Sequence, residues 1–231
     1  MRTPTAVSSR TWFITGAGRG LGRAFALAAL DRGDQVVAAA RTVTRQDFDD
    51  RYGDRLLVLP LDVTDRDAVF AAVNTAVEHF GRLDIVVNNA GNMSSGMIEE
   101  FTEAEARAQL EVNLFGAMWV CQAVLPHLRG QGSGHIVQIS SIAALGGFPS
   151  TGMYSASKFA LEGMSEALAM EAAPFGVKLS IVQPGGYWTD LYTAMTRRRL
   201  WRSTARCAPN WRSSGPRARS TASRVWPPRR C

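Results

Sequence analysis

Tyr154-Ser-Ala-Ser-Lys158 sets a phenol and an ammonium four residues apart at the start of a helical stretch. Positions i and i+4 share one face of a helix, so the two heads can meet. A phenol ordinarily ionises near pH ~10, too high for an efficient base at neutral pH. A neighbouring ammonium favours the phenolate and lowers that value, which lets such a pair hand a proton over and take it back. Two unconnected surface residues are the competing reading of this spacing. Ser141 stands thirteen residues before Tyr154, at the end of an apolar run. Asn113 stands in the long helical stretch before that.

A second chemistry-bearing segment is Thr15-Gly-Ala-Gly-Arg-Gly-Leu-Gly22, after the first apolar run. Glycines there let the backbone turn tightly and approach a pyrophosphate, and the helix that follows presents free N–H groups. Gly16, Gly20 and Gly22 have the spacing G-x-x-x-G-x-G, but Gly18 blurs the distinction from G-x-G-x-x-G. A plain glycine-rich loop is the alternative. A dinucleotide fold that prefers NAD usually carries Asp or Glu at the end of its second strand. Here that strand ends Ala39-Ala40-Arg41, and Arg19 lies in the glycine turn. Arginine forks pair well with a phosphate. NADP(H) is therefore the expected preference, with NAD(H) still possible. The alternative is that Arg41 is a solvated loop residue.

These groups need elements to hold them. The apolar runs 12–15, 35–40, 56–61, 83–87, 134–140 and 177–183 read as six strands. Helical stretches at 21–30, 65–80, 102–128 and 153–173 alternate with them. Thr64 is the expected N-cap of the second helix, and Gly81 lies just past its end. Thr102 with Glu105 forms a capping box, and Pro126 could end the third helix early. Such alternation implies an α/β fold, a doubly wound parallel sheet of order 3-2-1-4-5-6 with helices on both faces.

Placed on those strand ends, the motifs resemble the short-chain dehydrogenase/reductase family, which shares a Rossmann-like fold. The match covers about residues 10–191 and comprises Thr15–Gly22, Asp62-Val63, Asn88-Asn89-Ala90-Gly91, Asn113, Ser141, Tyr154, Lys158, Pro184-Gly185 and Thr189. The resemblance implies hydride transfer between NADP(H) and a carbonyl or alcohol. Tyr154 would be the acid/base, Lys158 would also bind the nicotinamide ribose, and Ser141 would hold the substrate oxygen. Asn113 would relay a proton through water to Lys158. Gly16, Arg19, Gly20, Leu21, Gly22 and Arg41 would line the phosphates, and Asp62 and Val63 the adenine. Asn89, Ala90 and Gly91 would touch the cofactor, and Pro184, Gly185 and Thr189 would cover the nicotinamide. The resemblance also implies a homodimer through the helices carrying Asn113 and Tyr154. Met93, Phe148, Met153, Tyr187 and Trp188 could form an apolar substrate pocket or fill core space.

Composition sets the outer bounds. The 231 residues carry a formal charge of +6, which by itself hints at nucleic acid. Residues 197–231 hold 11 Arg and no acid, whereas residues 1–196 hold 15 basic and 20 acidic residues, a net of −5. The basic character belongs to the tail, so residues 1–196 read as the catalytic domain and nucleic acid is not an expected partner. The tail lacks amphipathic periodicity and any apolar run for a seventh strand, which is expected to be missing. Three readings of it stay open: a frame-shifted translation of a GC-rich gene, a basic arm binding a polyanion, or an unusual folded lid. The second would go with a cofactor-binding but catalytically impaired protein. Cys121, Cys207 and Cys231 form no ligand spacing, and His79, His127 and His135 are scattered, so no metal is expected. With no apolar leader and no membrane-length segment, a cytoplasmic protein is expected.

Overall fold

The computed structural model describes residues 9–185 and 196–197. Six strands form one sheet: β1 (Thr11–Thr15), β2 (Gln35–Ala40), β3 (Leu56–Pro60), β4 (Ile85–Asn88), β5 (Gly134–Ile139) and β6 (Val177–Val182). All neighbours run parallel, in the order β3-β2-β1-β4-β5-β6. This is the doubly wound order expected from the apolar runs. Parallel strands are covered on both faces, which is why they read as near-continuous apolar stretches.

The helices are α1 (Gly20–Asp31), α2 (Arg66–Phe80), α3 (Glu103–Leu110), α4 (Gly116–Gln131) and α5 (Gly152–Ala172). Side chains alternate across the sheet. Phe13, Val37, Val86 and Ile136 join Val73, Val124 and Leu168 of α2, α4 and α5 on one face. Ile14, Val36, Ala38, Val87 and Ile139 join Ala26 and Leu30 of α1 on the other. Between β1 and β4 the winding reverses, and their carboxyl ends open the crevice where such folds bind ligands.

Four local expectations are corrected. The N-cap of α2 is Asp65, whose side chain accepts from Ala68 N at 3.0 Å. Thr64 instead donates its N–H and hydroxyl to Asp62 Oδ1, an Asx turn that leaves the capping to its neighbour. Helix α4 runs through Pro126 to Gln131, ending at Gly132 with φ +68. Proline removes one helical hydrogen bond, but Val124 and Leu128 are buried on either side and hold the helix in place. The third helix is also not uniform: Glu111–Phe115 is a π-helical segment between α3 and α4, and Asn113 is its buried residue. Finally, the chain does make a strand after β6. Thr196–Arg197 pairs in parallel with Ser94–Ser95, outside the main sheet. A two-residue pairing rests on backbone hydrogen bonds and leaves no apolar signature in sequence. Among the described residues, the main sheet ends at β6.

Candidate active site

The glycine turn joins β1 to α1 and needs glycine at three positions. Gly16 and Gly20 have φ +66 and +54, the left-handed region. At Gly22 a Cβ would lie 2.3 Å from the Gly16 carbonyl oxygen and 2.4 Å from Asn89 Nδ2. Gly18 is different, since its Cβ would meet nothing nearer than 3.6 Å. The steric demand therefore follows the G-x-x-x-G-x-G spacing. Arg19 precedes α1 in extended conformation, no side chain caps the helix, and its first turn holds no acid. The free N–H groups and dipole of α1 thus face the crevice unopposed, which suits an anionic phosphate.

Residues after β4 are stitched to that turn. Thr15 Oγ1 accepts from the backbone N–H groups of Asn89 and Ala90, each at 3.0 Å, and donates to Val87 O at 3.3 Å. Asn89 Nδ2 donates to Thr15 O at 2.9 Å and to Gly16 O at 3.3 Å. Asn89 and Ala90 are half-buried, Leu21 likewise, while Gly91 is exposed. Arg19 and Arg41 are exposed, and their side chains make no hydrogen bond or ion pair among the described residues. Asp62 is exposed and Val63 is buried against Gly116 of α4, so the Val63 side chain belongs to the core. Pro184 and Gly185 follow β6 after Gln183, and Ile142 N donates to Pro184 O at 3.2 Å. Thr189 lies outside the described residues, as do Tyr187, Trp188 and residues 198–231. Of the suggested pocket residues, Met93 and Met153 are half-buried and Phe148 is exposed.

Tyr154 and Lys158 both lie in the first two turns of α5 and are buried. Lys158 Nζ donates to the Ile139 carbonyl at the end of β5 at 2.8 Å and lies 5.9 Å from the centre of the Tyr154 ring. Burial pushes the Lys158 ammonium down to about 8, and the negative Glu162 partly offsets this. Gly91 fits between its neighbours: a Cβ there would lie 3.3 Å from Asn113 Oδ1 and 3.8 Å from Lys158 Nζ. Ser141 is half-buried, its hydroxyl accepting from Ala143 N at 3.1 Å.

Asn113 is held by three hydrogen bonds to two residues. Its Oδ1 accepts from Asn92 N at 2.9 Å, and its Nδ2 donates to Asn92 O at 3.0 Å and Ser157 Oγ at 2.9 Å. The π-helical turn adds a residue to the helix and brings Asn113 to this network. The structure thus gathers Asn113, Lys158 and Gly91 together, sets Tyr154 beside Lys158, and leaves Ser141 at the neighbouring strand end.

A model of the short chain dehydrogenase family matches residues 10–200. The chain belongs to the short-chain dehydrogenase family. It is 44% identical over 184 residues to an oxidoreductase of Botryotinia fuckeliana, covering 79% of this chain and 67% of that protein. It is 41% identical over 176 residues to a 3-ketodihydrosphingosine reductase of Bacteroides thetaiotaomicron, covering 76% of this chain and 63% of that one. The chain thus spans about two thirds of the length of these relatives. Among solved structures, a short-chain dehydrogenase from Streptomyces avermitilis superposes with TM-score 0.80 and 40% identity, over 86% of this chain and 74% of that one. ElxO with NADP bound superposes at 0.75 and 31% identity, over 80% and 77%.

For a short-chain dehydrogenase this site contains polar groups that motif spacing alone does not reveal. Gln109 is buried and donates to Asn92 O at 2.9 Å and Asn92 Oδ1 at 2.6 Å. Ser157 Oγ donates to the Tyr154 carbonyl at 2.7 Å. Ser140 and Gln183 both bond to Glu162 of α5. The i+4 step from Lys158 to Glu162 was the available signal for the last of these. Among the described residues no cluster of His, Cys, Asp or Glu could hold a metal, and no helix is long and apolar enough to cross a membrane.

Proposed function

We propose that this short-chain dehydrogenase interconverts a carbonyl and an alcohol with NADP(H) preferred over NAD(H), Tyr154 acting as acid/base. The observation that carries the reading is the buried Lys158 ammonium, pinned to Ile139 O at 2.8 Å beside the Tyr154 ring. When bound, the nicotinamide cofactor supplies or accepts the hydride. In the reductive direction the substrate oxygen gains negative charge, and the Tyr154 hydroxyl donates its proton to it. The positive charge of Lys158 stabilises the phenolate left behind. Ser141 holds the same oxygen through its hydroxyl. Asn113 orders the water through which Lys158 and Tyr154 recover a proton. Oxidation runs these steps backward.

The crevice between β1 and β4 fits the cofactor's phosphates, because Gly22 leaves no room for a Cβ and α1 meets it uncapped. Arg41 and Arg19 would take the extra phosphate of NADP through forked donors. Leu145 and Phe148, 60% and 55% exposed, follow Ser141 and precede Tyr154, which favours a substrate with an apolar carbon skeleton. The proposed assembly is a homodimer through the helix that carries Asn113 and continues into α4, and through α5; Phe115 of the π-helical segment stacks on Trp119 of α4 at 6.1 Å, and Phe159 of α5 is 43% exposed. A panel of ketones and alcohols assayed with NADPH and NADH tests the reaction, and no turnover with either cofactor overturns it. Light scattering on the eluted protein tests the dimer.

A further inference from the structure

Glu162 lies one helical turn beyond Lys158 on α5, and it holds two strand ends at once. Its carboxylate accepts a hydrogen bond from Ser140 Oγ, just past β5. Gln183 Nε2, just past β6, donates to both carboxylate oxygens at 2.9 Å. Each tether adjoins a segment of the site. Ser140 precedes Ser141, and its own N–H donates to Val182 O at 2.7 Å. Gln183 precedes Pro184-Gly185, and Pro184 O accepts from Ile142 N at 3.2 Å. One turn earlier, Lys158 holds the Ile139 carbonyl. Successive turns of α5 thus grip the successive residues Ile139 and Ser140.

We infer that Glu162 is a positioning residue of the hydride-transfer site, tethering the ends of β5 and β6 to α5 and facing Lys158 with a negative charge. This rests on the reading of Ser141 and Lys158 given above. Several groups face the Lys158 ammonium: the Ile139 carbonyl from β5, the Tyr154 ring on α5, Gly91 from the loop after β4, and Glu162. Asn113 of the π-helical segment borders the same glycine. Glu162 is the charge that acts on Lys158 among the described residues, and the two form no direct ion pair. Its other neighbours, Ser140 and Gln183, are neutral. A buried ammonium loses solvation, and an anion across one turn of helix restores part of it. The carboxylate's own lone pairs are meanwhile filled by Ser140 and Gln183, so it stays in place.

The chain has two lysines, Lys158 and Lys178, which gives a direct readout. Lysine labelled with 13C at Cε yields two signals, assigned with a Lys178→Arg variant and titrated without cofactor. Glu162→Gln removes the charge and keeps the size. The Lys158 midpoint should move to lower pH while that of Lys178, exposed on β6, stays put. With cofactor and ketone, kcat/KM should fall about tenfold, and the alkaline limb of the reductive pH profile should move the same way. A folded Glu162→Gln protein with an unmoved Lys158 midpoint overturns the inference. The double variant Ser140→Ala, Gln183→Ala leaves the charge and cuts the tethers, which also serves if Glu162→Gln fails to fold. It should leave the Lys158 midpoint near its original place and raise KM for the ketone severalfold. Unchanged kcat/KM there overturns the tether. A chain that turns over no ketone defeats the proposed function, and the titration still decides the facing charge.

Discussion

The Lys158 ammonium stands 5.9 Å from the centre of the Tyr154 ring, anchored there by the Ile139 carbonyl at 2.8 Å. Both groups are buried, so their interaction is little screened by solvent. If the phenol transfers the proton, Tyr154→Phe should lower kcat by at least about 100-fold, the usual scale for losing a positioned acid or base. Cofactor binding should persist, because Lys158 and the glycine turn are untouched. Steady-state turnover alongside NADPH fluorescence titration checks both halves. Retained turnover refutes the role.

Lys158 also ties the site to stability. Its folded value, about 8, lies below the ordinary 10.5 because burial penalises the charge. Between those values the unfolded chain binds more protons, so stability should rise with pH. Below about pH 8 the full penalty is present, roughly 3 kcal/mol at most. Lys158→Met removes this titration. Urea unfolding from pH 7.5 to 10 should show the original chain gaining up to about 3 kcal/mol relative to the variant. A constant difference across that window contradicts the buried charge. Turnover of the variant should be lost at every pH.

Much of this arrangement was legible in sequence. Strand β2, Gln35–Ala40, matches its apolar run end to end, since a strand covered on both faces has no polar interruptions. The capping box at Thr102 is a contact between residues three apart, and it formed. The π-helical segment at Glu111–Phe115 was not legible, because one extra residue in a turn barely changes the apolar period. Nor was the meeting of Ser140 and Gln183 at Glu162. Those residues lie just past β5, just past β6 and on α5, and only the crossover of the sheet brings them together. The cap falls at Asp65 rather than Thr64 because Asp62 Oδ1 accepts from both the N–H and the hydroxyl of Thr64, a local contact that competes with capping.

The glycine turn makes a paired prediction. Gly22→Ala would force a methyl within 2.3 Å of the Gly16 carbonyl oxygen, so the turn must open and Asn89 must lose its place. Cofactor affinity should fall at least about tenfold, a loss of roughly 1.4 kcal/mol or more. Gly18→Ala meets only ordinary contacts, the nearest at 3.6 Å, and should bind cofactor within about twofold of the original. Calorimetric titration of both variants with NADPH checks the contrast. Equal losses would mean that Gly18 carries a demand of its own.

Cys121 should be chemically silent. Its thiol is buried on α4, where desolvation pushes it up to about 12 against the hydrogen bonds from Gln138 and Asn88. The thiolate is the reactive form, and almost none exists at pH 8. In a Cys207→Ser, Cys231→Ser protein, a thiol-reactive disulfide reagent should therefore react only as fast as the fold opens. Addition of urea past the midpoint should release one equivalent at once. Rapid reaction in the folded state would contradict the burial of this thiol.

Arg41 follows β2 directly, exposed and without a hydrogen bond or ion pair among the described residues. A guanidinium with no local partner loses little on engaging a phosphate, and its fork can bond two oxygens at once. An acid at the same place would instead accept from the ribose hydroxyls and repel that phosphate. Arg41→Asp should therefore weaken NADPH by about 10- to 100-fold, the worth of a charge-assisted hydrogen bond of roughly 1.5–3 kcal/mol. NADH should bind as well as before or better, so the ratio of the two kcat/KM values should invert. Arg19→Ala should shift the ratio the same way but less, because that position sits in the turn common to both cofactors. A ratio that Arg41→Asp leaves unchanged would assign the preference to some other group.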